Sequence, residues 1–173
     1  MRTEQKEIIN PQDQTVVVIM GSASDMEHCQ KMFDVFDRLG VNYDKGIYSA
    51  HKTQTALMIA LDNYKIRNQK EELIFITAAG LSNALSGFIK GYLKMENPPI
   101  RVIACPPYNE QYGGVNIWSS LQMPYGTDVP VILDPGNTAL FAVESLARNN
   151  PELASKYMKE QKRLEDKVLS SNT

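Results

Sequence analysis

The chain is poor in the residues on which metal centres and disulfide scaffolds depend. Its 173 residues include only two cysteines, Cys29 and Cys105, and only two histidines, His28 and His51. The cysteines are far apart without metal-type neighbours, and a predicted helix and strand separate the histidines, so no metal site is expected. Both cysteines are expected to be buried thiols in a reducing compartment, which predicts a cytoplasmic protein.

Long apolar runs and an excess of positive charge are also missing. No apolar segment approaches the roughly 20 residues of a membrane-spanning helix, and residues 1–14 are polar, without the apolar core of a signal peptide. The formal net charge is −2, whereas a nucleic-acid-binding protein usually has a basic face. Neither a membrane nor a nucleic acid is therefore an expected partner, and a small-molecule ligand is favoured.

The familiar signatures of nucleotide binding and nucleophilic catalysis are absent too. The sequence contains neither a Walker-type phosphate loop with its terminal lysine nor a Gly-x-Gly-x-x-Gly motif. No serine or cysteine has an evident histidine and acid as partners, so no catalytic triad is expected. The residues that remain permit cofactor-free proton transfer on a phosphorylated small molecule.

Apolar segments alternate with amphipathic ones along most of the chain. This alternation predicts βαβ units and a parallel sheet with helices on both faces. Five such strands most often adopt the flavodoxin-like order 2-1-3-4-5 in a three-layer α/β sandwich. The predicted strands are 15–20, 41–48, 73–78, 100–105 and 129–133, and the main helices are 26–39, a segment ending near 67, one ending near 95, and 137–148 with Asn137 as a candidate cap.

The predicted domain covers residues 15–149, between an N-terminal arm at 1–14 and a C-terminal helical region at 150–173. Within that region, residues 151–169 form an amphipathic helix whose apolar stripe contains Leu153, Tyr157, Leu164 and Val168. The stripe packs either on its own domain or on a neighbouring subunit, and the sequence leaves both possibilities open.

In the predicted strand order, the loops after the first four strands meet at one edge of the sheet. These loops are rich in Gly, Ser, Asn, His and Lys, so they predict a shared ligand site. In the first loop, the backbone after Gly21 and the hydroxyls of Ser22 and Ser24 are candidate donors to a phosphate at a helix N-terminus. Asp25 is either the helix cap or a ligand of sugar hydroxyls.

The second loop contains His51 followed by Lys52. An imidazole titrates near neutral pH and can accept and return a proton within one turnover, and a neighbouring ammonium can neutralise a carboxylate or phosphate. The alternative is a loop histidine that bonds to the backbone. His28, one turn into the first helix, is expected to be a surface residue.

Four sequence blocks, 21–25, 49–53, 80–87 and 118–124, occur in the order and spacing of one family. On these blocks the chain resembles the PurE-type 5-aminoimidazole ribonucleotide (AIR) carboxylases and N5-carboxyaminoimidazole ribonucleotide mutases of purine biosynthesis. The resemblance implies catalytic roles for His51 and Lys52. It also implies substrate binding by Gly21, Ser22, Ser24, Asp25, Ser49, Ala50, Gly80, Leu81, Ser82 and Asn83.

The family has a branch that uses CO2 directly and a mutase branch. The mutase branch usually has Arg and a second His where this chain has Lys52 and Ala84, so the resemblance is closer to the CO2-using branch. It implies a carboxy-lyase (carboxylase and, in reverse, decarboxylase) that needs no ATP, metal or biotin. It also implies a homo-octamer in which the C-terminal helix reaches a neighbour.

Two residues depart from the CO2-using branch. Leu81 stands where that branch usually has Arg, and Gln122 is more typical of the mutases. Loss of an Arg removes a fixed cation, whose bidentate geometry Lys does not reproduce. A mutase and a non-catalytic nucleotide-binding paralogue therefore remain as alternative functions.

Overall fold

The computed structural model describes residues 13–172, so the expected N-terminal arm lies outside the described residues except for its last two positions. The strands are β1 (Gln14–Met20), β2 (Asn42–Ile47), β3 (Glu72–Ala78) and β4 (Arg101–Ala104). The helices are α1 (Met26–Leu39), α2 (Gln54–Arg67), α3 (Ala84–Leu93), α4 (Trp118–Leu121), α5 (Pro135–Ala147) and α6 (Pro151–Leu169).

The four strands form one parallel sheet in the order β2-β1-β3-β4. Val16 of β1 pairs with Tyr43 of β2 on one side and with Ile74 of β3 on the other. Every residue of β1 is buried, which agrees with the unbroken apolar run at 16–20. The carboxyl ends of all four strands therefore meet at one edge, as the sequence predicts.

The prediction of a fifth strand at 129–133 is wrong, because this segment makes only an isolated parallel bridge between Val131 and Ala104. The Ala104 N–H donates to the Pro130 carbonyl at 2.9 Å, and the Ile132 N–H donates to the Ala104 carbonyl at 3.0 Å. Pro130 has no N–H to extend the ladder, and Asp134 already begins the next helix. The segment thus occupies the place of a fifth strand without forming one.

Alternate residues of the central strand pack into two separate cores, because side chains of a strand point to opposite faces. Val16 and Val18 join the core formed with α1, α5 and the start of α6. Val17 and Ile19 join the core formed with α2 and α3. The domain is therefore a three-layer sandwich, consistent with the flavodoxin-like class.

Helix α5 begins earlier than the sequence suggests. The Asp134 side chain caps it by accepting the Asn137 N–H at 2.8 Å, and Pro135 occupies the first turn. Asn137 is therefore inside the helix, and its expected role as the cap is wrong. Proline suits this position since its missing N–H has no partner in the first turn anyway.

Helix α6 packs its first half on its own domain. Leu153 is buried there, and Tyr157 packs against the same core. Glu160 is buried and bonds to Arg38 of α1 at 3.0 Å and to Arg163 at 2.8 Å. Val168 and Leu169, at the far end, are exposed. No helix in residues 13–172 is both long and apolar enough to cross a membrane.

Candidate active site

A cavity of about 500 Å³ lies at the carboxyl edge of the sheet. The loops after β1, β2, β3 and β4 all contribute to it. It brings together all the site residues predicted from the sequence except Asn83. The lining residues are Gly21, Ser22, Ser24, Asp25, Ser49, Ala50, His51, Lys52, Ala79, Gly80, Leu81, Ser82, Leu85, Pro107, Tyr108 and Asn109.

The turn after β1 lies close to the end of β3. The Gly21 N–H donates to the Ala78 carbonyl at 2.8 Å, and a Cβ on Gly21 would lie 3.3 Å from the Cβ of Ala79. Glycine therefore allows the two strand ends to approach closely. This contact brings the serine turn to the wall of the cavity.

A capping box organises the serine turn. The Ser22 Oγ accepts the Ser24 N–H at 3.3 Å, and the Asp25 carboxylate accepts the Ser22 N–H at 2.9 Å. The hydroxyls of Ser22 and Ser24 are 3.0 Å apart on an exposed part of the turn. These two N–H groups are bonded within the turn, so the two hydroxyls are the polar groups that Ser22 and Ser24 present to a ligand.

Asp25 serves the cap and lines the cavity as well. Its side chain is buried, and burial raises its pKa, although the hydrogen bonds from the Ser22 and Gly21 backbone act in the opposite direction. The sequence left a cap or a ligand as alternatives for Asp25. In the structure Asp25 precedes α1, but its side chain makes no cap hydrogen bond to that helix. It completes the capping box of the serine turn and also lines the cavity.

The loop after β2 holds His51 and Lys52 by their backbone. The Ser49 Oγ accepts the His51 N–H at 3.3 Å and the Lys52 N–H at 3.2 Å. Thr53 closes the same turn, because the Ser49 N–H donates to its hydroxyl at 2.9 Å. Both side chains are exposed and form no hydrogen bond or ion pair within residues 13–172. The imidazole and the ammonium are thus available to a ligand.

The turn after β3 presents Gly80, Leu81 and Ser82 to the cavity. The Leu81 side chain is 56% exposed, although it is aliphatic. Ser82 has a φ of +34°, a rare conformation for a residue with a side chain. An apolar side chain and a strained backbone therefore stand side by side in this turn.

Asn83 does not line the cavity. Its side-chain oxygen caps α3 by accepting the Ser86 N–H at 3.2 Å, and its amide donates to the Ser120 hydroxyl at 2.8 Å. Its backbone N–H donates to the Ser119 hydroxyl, also at 2.8 Å. Asn83 therefore connects the third sequence block to the fourth and supports the site from outside.

The loop after β4 was expected at the shared site, but the sequence did not single out Pro107, Tyr108 or Asn109, which form part of the cavity wall. These residues directly follow β4, so the shared edge of the sheet was the available signal. Their residue types alone give no indication of a site.

His28 is not the surface residue expected from the sequence. It is half-buried, and its Nε2 lies 3.4 Å from the Sγ of Cys105. Burial lowers the pKa of His28, and burial raises the pKa of Cys105 to about 11 and that of Cys29 to about 12. Both cysteines are buried and free, as predicted, and are protonated at neutral pH. Among the described residues, no group of three or more potential ligands could hold a metal ion.

The arrangement combines three chemical capacities in one cavity. Exposed serine hydroxyls suit the oxygens of an anion. An unpaired imidazole can accept a proton, and the adjacent ammonium can neutralise a carboxylate or phosphate. His51 is the only histidine that lines the cavity, because His28 lies outside it.

The family model of AIR carboxylase matches residues 15–167. Phosphoribosylaminoimidazole carboxylase of Treponema denticola is 38% identical over 139 residues, which are 80% of this chain and 83% of that protein. The protein of the same name from Archaeoglobus fulgidus is 37% identical over 131 residues, or 76% and 68% of the two chains. The crystal structure of Treponema denticola PurE superposes with a TM-score of 0.84 at 34% identity and covers 92% of this chain and 96% of that one. The chain therefore belongs to the AIR carboxylase family of purine biosynthesis.

Proposed function

We propose that this protein carboxylates AIR at C4 with CO2 and produces 4-carboxy-5-aminoimidazole ribonucleotide. The observation that carries the proposal is the single cavity that joins the serine turn, the His51–Lys52 loop and the Gly80–Ser82 turn. Two relatives that are more than a third identical are named phosphoribosylaminoimidazole carboxylase, which supports this substrate.

The substrate binds with its phosphate on the hydroxyls of Ser22 and Ser24 and its ribose near Asp25. The start of α1 follows this turn, so the positive end of the helix dipole favours an anion there. The base then extends toward the loops after β2 and β3. Holding AIR and CO2 close together in the reactive orientation supplies much of the rate advantage over the reaction in solution, because CO2 is small and binds weakly on its own.

The carboxylation proceeds in two steps. The electron-rich C4 of the aminoimidazole attacks the carbon of CO2 held near Gly80, Leu81 and Ser82, which forms a C–C bond and leaves a carboxylate. His51 then removes the proton from C4, and the electron pair of that C–H bond restores the aromatic ring. Lys52 pairs with the new carboxylate. The overall reaction consumes AIR and CO2, releases one proton, and uses neither ATP nor a metal nor biotin.

Two positions support direct use of CO2 rather than the mutase reaction. Lys52 lines the cavity where the mutase branch usually has Arg. Ala84, at the position of the second mutase histidine, is the first residue of α3 and does not line the cavity. The wall formed by the third turn thus presents apolar and hydroxyl groups to the substrate.

An assay with AIR and bicarbonate, without ATP or a second enzyme, tests the proposal. We expect carboxylated product, and replacement of His51 by Asn should lower the rate by about 10²- to 10⁴-fold, the usual contribution of a general base. His28→Asn is the matched control, because that histidine lies outside the cavity. Product from the N5-carboxy compound but not from AIR would identify a mutase. AIR binding without turnover, unchanged by His51→Asn, would identify a non-catalytic paralogue.

We further propose that the protein works as a cytoplasmic homo-octamer. Helix α2 supports an assembly, because only Leu57 and Leu61 of its 14 residues are buried while Met58, Ile59 and Ile66 are exposed. A helix with apolar residues on all sides is normally covered. The free, buried thiols fit a reducing compartment.

A further inference from the structure

Tyr108 is an aromatic side chain with an unusual position in the cavity. It lines the cavity from the loop after β4 and is 72% exposed. No other tyrosine, and no phenylalanine or tryptophan, is among the lining residues. Its hydroxyl forms no hydrogen bond within the part of the chain that the structure describes. Neither core packing nor a polar contact of the hydroxyl accounts for this ring.

The edge of the Tyr108 ring rests on Gly114. A Cβ at Gly114 would lie 2.6 Å from Cε2 of the ring, 3.3 Å from Cδ2 and 3.5 Å from Cζ. Gly114 also has a φ of +77°, which side-chain-bearing residues rarely adopt. Glycine at this position therefore leaves room for the ring as well as permitting the backbone conformation.

The backbone on both sides of Tyr108 is fixed by hydrogen bonds within the same loop. The Asn116 side-chain amide donates to the Pro107 carbonyl at 3.0 Å, and the Gly114 N–H donates to the Asn109 carbonyl at 3.1 Å. The loop thus closes on itself and holds the ring at the wall. An ordered ring needs less reorganisation to bind a ligand than a freely rotating one.

We infer that Tyr108 is the surface on which the heteroaromatic base of the substrate stacks, and that Gly114 is a positioning residue that keeps the ring there. This inference rests on the proposed function. The serine turn and His51 supply polar contacts, whereas a planar, electron-rich ring is best held by another ring. Tyr108 therefore selects for the base, and the serine turn for the phosphate.

Binding measurements with AIR and with ribose 5-phosphate, which lacks the base, separate a role in stacking the base from a general effect on the cavity. Tyr108→Leu should weaken AIR binding about 10-fold, the usual scale for one stacked base, and should leave ribose 5-phosphate binding unchanged. Tyr108→Phe keeps the ring and should recover most of the affinity for AIR. In steady-state assays, the loss should appear in KM more than in kcat.

Gly113 provides a matched control for Gly114. Its φ is +58°, and a Cβ there would meet nothing within 4 Å. Gly113→Ala thus introduces a similar backbone strain without contacting the ring, so Gly114→Ala should weaken AIR binding and Gly113→Ala should not. In a Tyr108→Leu background, Gly114→Ala should have no further effect on AIR binding.

Three results would overturn the inference. In the first, Tyr108→Leu binds AIR with the affinity of the wild type. In the second, it loses affinity for AIR and for ribose 5-phosphate equally. In the third, Gly114→Ala and Gly113→Ala have the same affinity for AIR. A wild-type protein that binds ribose 5-phosphate but not AIR would instead overturn the proposed function, and this inference with it.

Discussion

At the scale of single residues, Leu81 has the largest influence on the expected chemistry of the cavity. It stands next to Gly80 at the end of β3, and the apolar side chains of Leu85 and Pro107 line the same cavity. These neighbours suit CO2, which is apolar and uncharged. We therefore interpret Leu81 as part of an apolar wall for CO2 rather than as a lost cation.

Replacing Leu81 by Arg tests this interpretation. The guanidinium brings water with it, so we expect carboxylation at limiting bicarbonate to fall about 10-fold, the loss that accompanies roughly 1.4 kcal/mol of binding free energy. The initial rate is measured against bicarbonate concentration, with Leu81→Met as the control that keeps an apolar side chain. A large gain in the Arg variant would show that Leu81 is a defect.

The sequence predicted which loops reach the cavity better than it predicted which side chain of a loop faces the cavity. The sequence placed His51 and Lys52 in a loop at the shared edge of the sheet, and both line the cavity. Their catalytic roles stay predictions. The sequence also assigned Asn83 to the substrate, although an asparagine before a helix is equally suited to cap it. The structure shows that the cap is its role.

At the scale of elements, the ion pair of Glu160 with Arg38 connects α6 to α1. Hydrogen bonds from Arg163 and then from Arg38 hold the pKa of Glu160 at about 2, although burial opposes this shift. An unfolded glutamate titrates near 4.5. The stabilisation is therefore complete above pH 4.5 and is lost progressively as the pH falls toward 2, because the unfolded state binds the proton first.

Glu160→Gln should lower the free energy of unfolding by about 1–2 kcal/mol at pH 7, since both arginines are partly exposed and their pairing is screened. Urea unfolding at pH 7 and at pH 3.5 measures the effect, and the difference from wild type should be smaller at the lower pH. Glu165→Gln is the control, because the pair of Glu165 with Lys162 is exposed. An equal loss at both pH values would contradict the ionic origin.

The elements themselves were largely predictable. The bounds of α1 and α6 agree with the sequence pattern, because amphipathic periodicity and helix-terminating residues lie within the segment itself. The fifth strand was not predictable from its β-branched residues. A strand needs backbone hydrogen bonds to its neighbour along its whole length, and Pro130 has no N–H to donate one of them.

At the scale of the whole molecule, the outer face of α2 exposes apolar side chains that an interface could cover. A groove of about 410 Å³ runs along it, lined by Tyr48, Ala56, Ile59, Ala60, Asn63, Tyr64 and Arg67. Ile59 is 61% exposed in this groove. An apolar helix face of this kind fits a second copy of the chain better than it fits water.

Placing a charge in the groove tests the proposed assembly. Ile59→Glu should shift the protein from a large oligomer toward smaller species in sedimentation velocity, because burial of an unpaired carboxylate at an interface is costly. Met95→Glu is the control, since Met95 is exposed but does not line the groove. An Ile59→Glu protein that sediments as the wild type does would exclude this face from the interface.

The sequence by itself determined the alternation of strands and helices and the loops that meet at one edge. Both follow from local information, namely hydrophobic periodicity and the right-handed βαβ connection. Three of the four motif blocks, at 21–25, 49–53 and 80–87, therefore predicted most of the lining of the cavity, whereas the fourth, at 118–124, does not line it.

Only the tertiary structure decided which side chains at that edge face the cavity. His28 is turned against Cys105, 77 positions away, and Asn83 against Ser120, 37 positions away. The contact between Gly114 and the Tyr108 ring depends on the hydrogen bonds that close the loop after β4. The contacts of His28 and Asn83 depend on how the folded chain brings distant segments together, so no local pattern contains them.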